Sequence, residues 1–595
     1  MAEVTKRMDS ESEASTGPLS LEEAETVREA GVAEARVAEA RTAASARPSV
    51  ARSAGVVSLA VMGSRILGLV REQVFAAYFG AGFLNDAFQV GFRIPNTLRD
   101  LFAEGALSAA FVKTFTDYIE KRSEREAWRL ANMVMNALAI VLSVIVIVGI
   151  IFSPEIVAVI ARDFSPEKAA LATTLTRIMF PFILMVALAA VAMGVLNAKH
   201  HFGIPASAST MFNIGSIVGG LALAYWLSGG GWTSPRDPNA IPSDAAQWAI
   251  IGMAWGTLIG GALQFLIQVP SLFKVGFRFK PIVSFTDPGV RQVMRLMAPA
   301  IIGTAAVQIN VLVNTFFASS INGGPSWLAY AFRLMQFPIG VFGVAIGTAT
   351  LPAISRFAVR GEMDDFRSTL ASSINLVFLF TIPSACGLVA LGHPIIALIY
   401  ERKAFTATDT HMVALALAAY AVGLAGYAAI KVLSPAFYAL DDARTPMMVS
   451  LFSILVNAVA NYYFRDLFGR FGVTPLTPNG YAHVGLALST SCVALVNFFA
   501  LAFLMRRRIG RLEGRRIMAS FVRIALASIA LSVASYGAYR LLDPLLPGKT
   551  LLVRLAEALI PIAIGCVVFF FTAKALRVRE LDQALNELRR RFRRR

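Results

Sequence analysis

The chain has 595 residues, 56% of them hydrophobic, and a mean hydropathy of +0.62. No water-soluble domain buries that much apolar sequence, so a multi-span membrane protein is the class that fits. The formal charge of +17 invites a nucleic-acid partner. The Lys and Arg, however, concentrate in short loops and the C-terminal tail, a positive-inside pattern that argues for a membrane protein with no nucleic-acid partner. Cys386, Cys492 and Cys566 lie far apart in apolar stretches without disulfide or metal-ligand spacing, and read as small packing residues.

Residues 1–52 are rich in Ala, Glu, Arg and Ser and show no sustained apolar face, as expected of a disordered or weakly helical cytoplasmic tail. The first apolar run starts near Ala54 and no small-residue cleavage site follows it, so no signal peptide is expected. Stretches of spanning length then recur near 54–79, 83–116, 128–152, 168–197, 203–227, 248–272, 291–319 and 325–353. Six more follow near 367–390, 410–438, 446–464, 482–505, 518–541 and 551–573. An even count of fourteen puts both termini on one side. Arg506, Arg507, Arg508, Arg511, Arg515 and Arg516 share that side with Lys274, Arg278, Lys280 and the terminal arginines, which makes it cytoplasmic. Opposite loops such as 228–247 and 465–481 are rich in Gly, Pro and Asn. Lys574 to Arg595 reads as a basic amphipathic helix lying on anionic lipid headgroups.

An internal repeat is visible. In NAKHHFGIP, Ala198 leads to Pro205; in YALDDARTP, Ala439 leads to Pro446, 241 positions later. Pro95 and Pro338, both inside spans, are 243 apart. Two six-span lobes in parallel repeat follow, because each holds an even number of spans. The predicted division is a tail 1–52, a first lobe 53–280, a second lobe 281–508, a helix pair 509–575 and a basic tail 576–595. Two lobes with polar groups facing a central space suggest alternating access.

The charges locate that space. The stretch Arg65 to Glu104 is apolar enough for two spans joined by Gly80-Ala81-Gly82, yet carries Arg65, Arg71, Glu72, Asp86, Arg93, Arg99, Asp100 and Glu104. One Arg at a bilayer centre costs roughly 2.5–3.5 kcal/mol on insertion scales, so several facing lipid would oppose insertion. They are expected to face water or one another. On one helix Arg65 and Glu72 lie about 20° apart, a geometry that suits an ion pair, and Arg71 lies about 120° from Arg65. Asp86, Arg93 and Asp100 repeat every seven residues on one face. Arg99-Asp100 is either part of this set or a pair turned to a loop. Arg333 stands in an otherwise uncharged span and reads as a ligand contact or an inter-lobe pair. Lys431 either joins the cavity or snorkels to the interface. The arginine excess suits a phosphate or pyrophosphate, whose oxygens match the guanidinium fork.

Asn310 and Asn314, and Asn457 and Asn461, are pairs four apart on single helix faces, expected to bond between helices. Gly548-Lys549-Thr550 resembles the end of a phosphate loop, but Asp543 stands where that pattern needs Gly. With no ATPase motif, transport must draw on an ion gradient, membrane potential or substrate gradient.

The motifs SRILGLVRE, NDAFQVGFRIPNTLRDLFAEGALSAAFV, SWLAYAFRLMQFPIGVFGVAIGT and KVLSPAFYALDDARTP resemble, in order, those of the MurJ/MviN family of lipid II flippases in the MOP exporter superfamily. The similarity runs from about 54 to 575. It implies an all-α polytopic protein of fourteen helices, two six-helix lobes around a central cavity, and a C-terminal pair forming a lipid-tail groove. It implies a multi-pass protein of the bacterial inner membrane that flips undecaprenyl-pyrophosphate-linked peptidoglycan precursor. The family's essential cavity arginines fall on Arg65, Arg71, Arg99 and Arg333, and its cavity carboxylate on Asp86. Glu72 stands where Asp is usual. Phe332 and Gln336 stand where many members carry acids, which leaves Arg333 with less local neutralisation. Some members hold a cation in the second lobe; the corresponding positions here are Asn314, Asn457 and Asn461.

The expected protein is therefore a monomeric lipid II flippase without cofactor, driven by membrane potential or a monovalent cation, with Arg65, Arg71, Arg99 and Arg333 on the substrate. Glu72, Asp86, Arg93, Glu104 and Lys431 would support them. The rivals are a flippase for another lipid-linked oligosaccharide, a MATE-like antiporter, a membrane-embedded glycan polymerase or ligase, and a scaffold without transport. An antiporter predicts a cavity dominated by carboxylates. A polymerase predicts a catalytic base and a large outer loop.

Overall fold

The computed structural model describes residues 59–102, 106–475, 477–546, 548 and 550–593. The predicted tail 1–52 and Glu104 lie outside them. The described chain is helical almost throughout. Helix α1 runs over 59–79. Next come α2 (Phe83–Phe102), α3 (Ala106–Lys121), α4 (Glu124–Ile151) and α5 (Ser153–Ile160). These lead into α6 (Pro166–Ala198), α7 (Gly203–Leu227), α8 (Asp244–Lys274), α9 (Pro288–Ala318) and α10 (Gly324–Arg360). The rest are α11 (Met363–Ile399), α12 (Ala407–Ala439), α13 (Arg444–Gly469), α14 (Ala482–Ile509), α15 (Gly514–Leu542), α16 (Leu551–Ala575) and α17 (Arg579–Arg593).

Among the described residues, eleven helices are long and apolar enough to cross a membrane. They match eleven of the fourteen predicted spans. The other three predicted positions hold α1, the α2–α3 segment and α9, which carry the ionised residues singled out above or, in α9, an apolar stretch confined to Thr304–Ala318. The span predicted over 83–116 is helical on both sides of residues 103–105, which lie outside the described ones. Helix starts follow local chemistry. Ser123, Ser165, Ser243, Thr406 and Thr550 each accept the backbone N–H three residues on, and Thr406 with Asp409 forms a reciprocal capping box. The Thr550 of the phosphate-loop look-alike is thus a helix cap.

The repeat has a conformational counterpart. His200 and Asp441, at equivalent places in the two signature turns, both take left-handed backbone, with φ of 60° and 56°. Two buried clusters fill the first lobe, one of them around Phe111, Phe115, Phe180 and Phe182. The second lobe packs around Trp327, Tyr330 and Tyr400 towards one end and Phe366, Phe378 and Phe437 towards the other.

Helix α9 belongs to both lobes. The predicted boundary at 280/281 gives it wholly to the second lobe, yet Val290 and Val293 are buried in the first lobe's core. The linker before it is strapped to α4. Asn132 Nδ2 donates to Arg278 O at 3.0 Å, Lys280 N donates back to Asn132 Oδ1 at 2.7 Å, and Asn136 Nδ2 donates to Lys280 O and Ile282 O. Further along α9, Asn310 and Asn314 bond to the second lobe.

The extra pair α15–α16 is tied to α11 at both ends. Arg554 pairs with Glu401 at 3.1 Å and donates to the carbonyls of Ala397 and Glu401. At the other end Glu580 of α17 is 4% exposed and its Oε1 accepts from Asn375 Nδ2 (2.9 Å) and Ser520 Oγ (2.8 Å). The basic tail expected to lie on headgroups therefore begins as a docked helix, because Glu580, Leu581 and Ala584 give its first turns a face that fits the second lobe.

Candidate substrate site between the lobes

Glu72 is the hub. Its Oε1 accepts from Arg71 Nη2 at 3.1 Å and from Arg333 Nη2 at 3.1 Å, so one carboxylate on α1 of the first lobe bridges to α10 of the second. The expected Arg65–Glu72 pair does not form. A shared helix face still leaves the two about 10 Å apart along the axis, and Arg71 and Arg333 take the Glu72 oxygen. Arg65 instead lies over α10 one face-repeat further on, where a Cβ at Gly340 would stand 3.1 Å from its Nη1. Phe332 and Gln336 leave Arg333 without an acid on its own helix, and the neutralisation comes across the interface.

Arg99 holds its neighbour Asp100 by two bonds, Nε and Nη2 to Oδ1 at 3.0 and 2.7 Å. Asp100 Oδ2 also accepts from Gln308 of α9 at 3.1 Å, which turns the pair to the other lobe rather than to a loop. Arg71 lies within the electrostatic reach of Arg333 and Arg99, and Arg93 within that of Arg333, Asp100 and Tyr420. The Arg93 Nε is buried with no hydrogen-bond partner. Arg71 also stacks on Phe212, its guanidinium carbon 5.2 Å from the ring centre. The structure thus gathers Arg71, Arg93, Arg99 and Arg333 around Glu72 and Asp100. Among the described residues, four guanidiniums face two carboxylates, and the Arg333 side chain is 51% exposed. Charge of this kind disfavours lipid, so the open side of the cluster is a wet one.

Asp86 is not part of it. It is fully buried, and its carboxylate accepts from Lys168 Nζ at 2.8 Å, Gly323 N at 2.8 Å, Ser326 N at 3.0 Å and Ser326 Oγ at 2.6 Å. It caps the first turn of α10. The seven-residue spacing placed Asp86 and Arg93 on one face correctly but says nothing of depth. Seven residues rise about 10 Å along a helix, which carries Asp86 to the opposite end of α2 from the arginines. Lys168 was missed because it opens its span, where a lysine reads as a snorkelling end.

Around Asp86 the lobes close on each other. Ala404 N donates to Ala77 O at 3.0 Å, Asn85 Nδ2 to Tyr330 Oη at 2.7 Å, and Lys403 lies 3.8 Å from the Tyr78 ring centre. Gly80 is required here: its φ is +65°, and a Cβ would stand 2.8 Å from Ala404 O. This end is sealed.

Lys431 is exposed on α12, with no hydrogen bond or ion pair among the described residues, and is not drawn into the cluster. The asparagines form an interhelical network. Asn314 Oδ1 accepts from Asn457 Nδ2 (3.0 Å) and Asn461 Nδ2 (2.8 Å), while Asn314 Nδ2 donates to Thr490 Oγ1 (3.1 Å). Donors, rather than a ring of oxygens, converge on Asn314.

Two repeated lobes, sealed at one end and lined with surplus guanidinium at their junction, define a polytopic transporter fold. A solved MATE family transporter of the MOP superfamily, in an inward-facing conformation, shares that fold, with a TM-score of 0.60 at 16% identity over 76% of this chain and 96% of that one. The family model described as Lipid II flippase MurJ matches residues 75–556. The Lipid II flippase MurJ of Burkholderia cenocepacia is 35% identical over 452 residues, 75% of this chain and 81% of that protein. A solved Lipid II flippase MurJ in an inward closed conformation aligns with a TM-score of 0.69 and 26% identity, covering 88% of this chain and 98% of the other. The chain belongs to the MurJ family.

Proposed function

We propose that this protein flips lipid II, the undecaprenyl-pyrophosphate-linked peptidoglycan precursor, from the cytoplasmic to the outer leaflet of the bacterial inner membrane by alternating access. The observation that carries the reading is the Glu72 bridge between Arg71 and Arg333, set in a cluster that among the described residues has two more positive than negative charges. A diphosphate diester carries two negative charges and fits that surplus. Arg71, Arg99 and Arg333 would hold the diphosphate, with Arg65 and Arg93 flanking, and Glu72 would take the guanidiniums back as substrate leaves. Bidentate guanidinium–phosphate contacts favour this over an antiporter, whose cation would need surplus carboxylates.

In this reading the sealed end faces outward, both termini lie in the cytoplasm, and α17 sits at the inner surface beside anionic lipid headgroups. The chain acts as a monomer and a transporter rather than an enzyme. The self-bonded asparagines favour membrane potential over a bound monovalent cation as the driving force. The test is depletion of the protein with lipid II measured on each membrane face. Outer-face lipid II should fall as inner-face lipid II accumulates; a normal outer-face level overturns the proposal.

A further inference from the structure

We infer that Lys168 is a positioning residue that sets the strength of the seal by supplying the buried counter-ion of Asp86. The inference rests on the two-lobe transport reading only in giving the seal a purpose. The pair is buried on both sides, with side-chain exposures of 3% for Lys168 and 0% for Asp86. Lys168 and Asp86 both belong to the first lobe, whereas the other three donors to Asp86, from Gly323 and Ser326, belong to the second. One carboxylate therefore has a resident partner and three visiting ones.

The resident partner is itself fixed. Ser165 caps α6 by accepting Lys168 N, and the ammonium is packed against the Phe164 and Phe83 rings, 4.5 and 5.9 Å from their centres. No second anion pairs with it among the described residues. Asp409, another buried carboxylate, lies within electrostatic reach of Asp86 and is held by Trp327 Nε1 at 2.9 Å and by Thr406. Lys168 is thus the one ammonium or guanidinium ion-paired with either carboxylate among the described residues. A buried carboxylate stripped of its counter-ion is strongly disfavoured. Without Lys168, the buried Asp86 carboxylate loses its counter-ion and draws in water. Water there weakens its hold on the first turn of α10, and that turn is the second lobe's grip on the seal.

The experiment uses the full chain with Cys386, Cys492 and Cys566 changed to Ser, and Ala77→Cys with Ala404→Cys as reporters. Their backbones are hydrogen-bonded across the seal, a spacing compatible with a disulfide. The disulfide yield of purified protein in lipid nanodiscs, without substrate, reads the closed fraction. Lys168→Met should lower that yield by about five-fold or more, and Lys168→Arg should restore most of it. Asp86→Asn should lower it alone, and adding Lys168→Met to Asp86→Asn should cause no further fall. Should Lys168→Met fail to fold, Lys168→Gln, which keeps a donor without the charge, should still lower the yield. An unchanged yield in the folded Met or Gln variant, or an equal fall with Asn at position 86, overturns the inference. Because no substrate is present, failure of the transport reading would leave these yields as stated.

Discussion

The Glu72 cluster and the Asp86 seal use the same chemistry to opposite ends. Both place a carboxylate of the first lobe against donors of the second. At the seal, one anion meets one cation, three neutral donors complete it, and nothing is exposed. At the cluster, among the described residues, two anions face four cations, Arg93 Nε is left without a partner, and Arg333 is half exposed. The difference is stoichiometry. Balanced charge makes a closed joint, and unbalanced charge leaves net positive charge at the junction.

That contrast can be broken in stages. The largest effect is expected from Arg333→Ala, which removes the one basic group that, among the described residues, the second lobe gives Glu72: complementation of a depleted strain should be lost while membrane insertion and protein level stay normal. Next is Glu72→Gln. With Arg71 and Arg333 freed from their shared acid, affinity for a pyrophosphate probe should rise about ten-fold, the scale of one lost charge-assisted contact, while growth slows because release is impaired. Smaller is Gly80→Ala at the seal. The added Cβ and the positive φ should cost about 1–3 kcal/mol of the closed arrangement, read as increased labelling of a cysteine at Ala404 by a water-soluble thiol reagent.

The smallest effect calibrates the others on a partly exposed acid outside the spans. Asp442 accepts Thr445 N at 3.0 Å and Thr445 Oγ1 at 2.7 Å, and those bonds hold its carboxyl below the usual carboxylate range. A depressed value means the bond stabilises the fold above the ordinary carboxylate range and loses that contribution as pH falls through the depressed value. Asp442→Ala should therefore cost about 0.5–1 kcal/mol at neutral pH and less in acid, measured by thermal unfolding at both.

The sequence reveals an intramembrane charge easily, because an ionised residue in an apolar run is costly wherever it points. That is why Arg71, Glu72, Arg99 and Arg333 could be singled out, and why the repeat and most spans could be drawn. Pairing across lobes was another matter. Glu72 and Arg333 are 261 positions apart, and no periodicity reports which helix faces which. Asp86 shows the complementary failure: its face was readable and its depth was not. Lys168 was hidden by convention, since a lysine at the start of a span looks ordinary until its partner is seen. Helix α9 was assigned whole to one lobe because a linker looks like a boundary, whereas Asn132 and Asn136 hold that linker in place.

For anyone designing a shortened or tagged version, the docking of Glu580 fixes where the chain can be cut. A truncation after the last span would leave the Asn375 amide, which is fully buried on α11, with only its longer 3.4 Å bond to Ser520 Oγ. Losing a buried bond to a carboxylate costs about 1.5–3 kcal/mol, a sizeable share of a marginal stability. Purification handles belong beyond Arg593, and a tail that looks disposable should be kept.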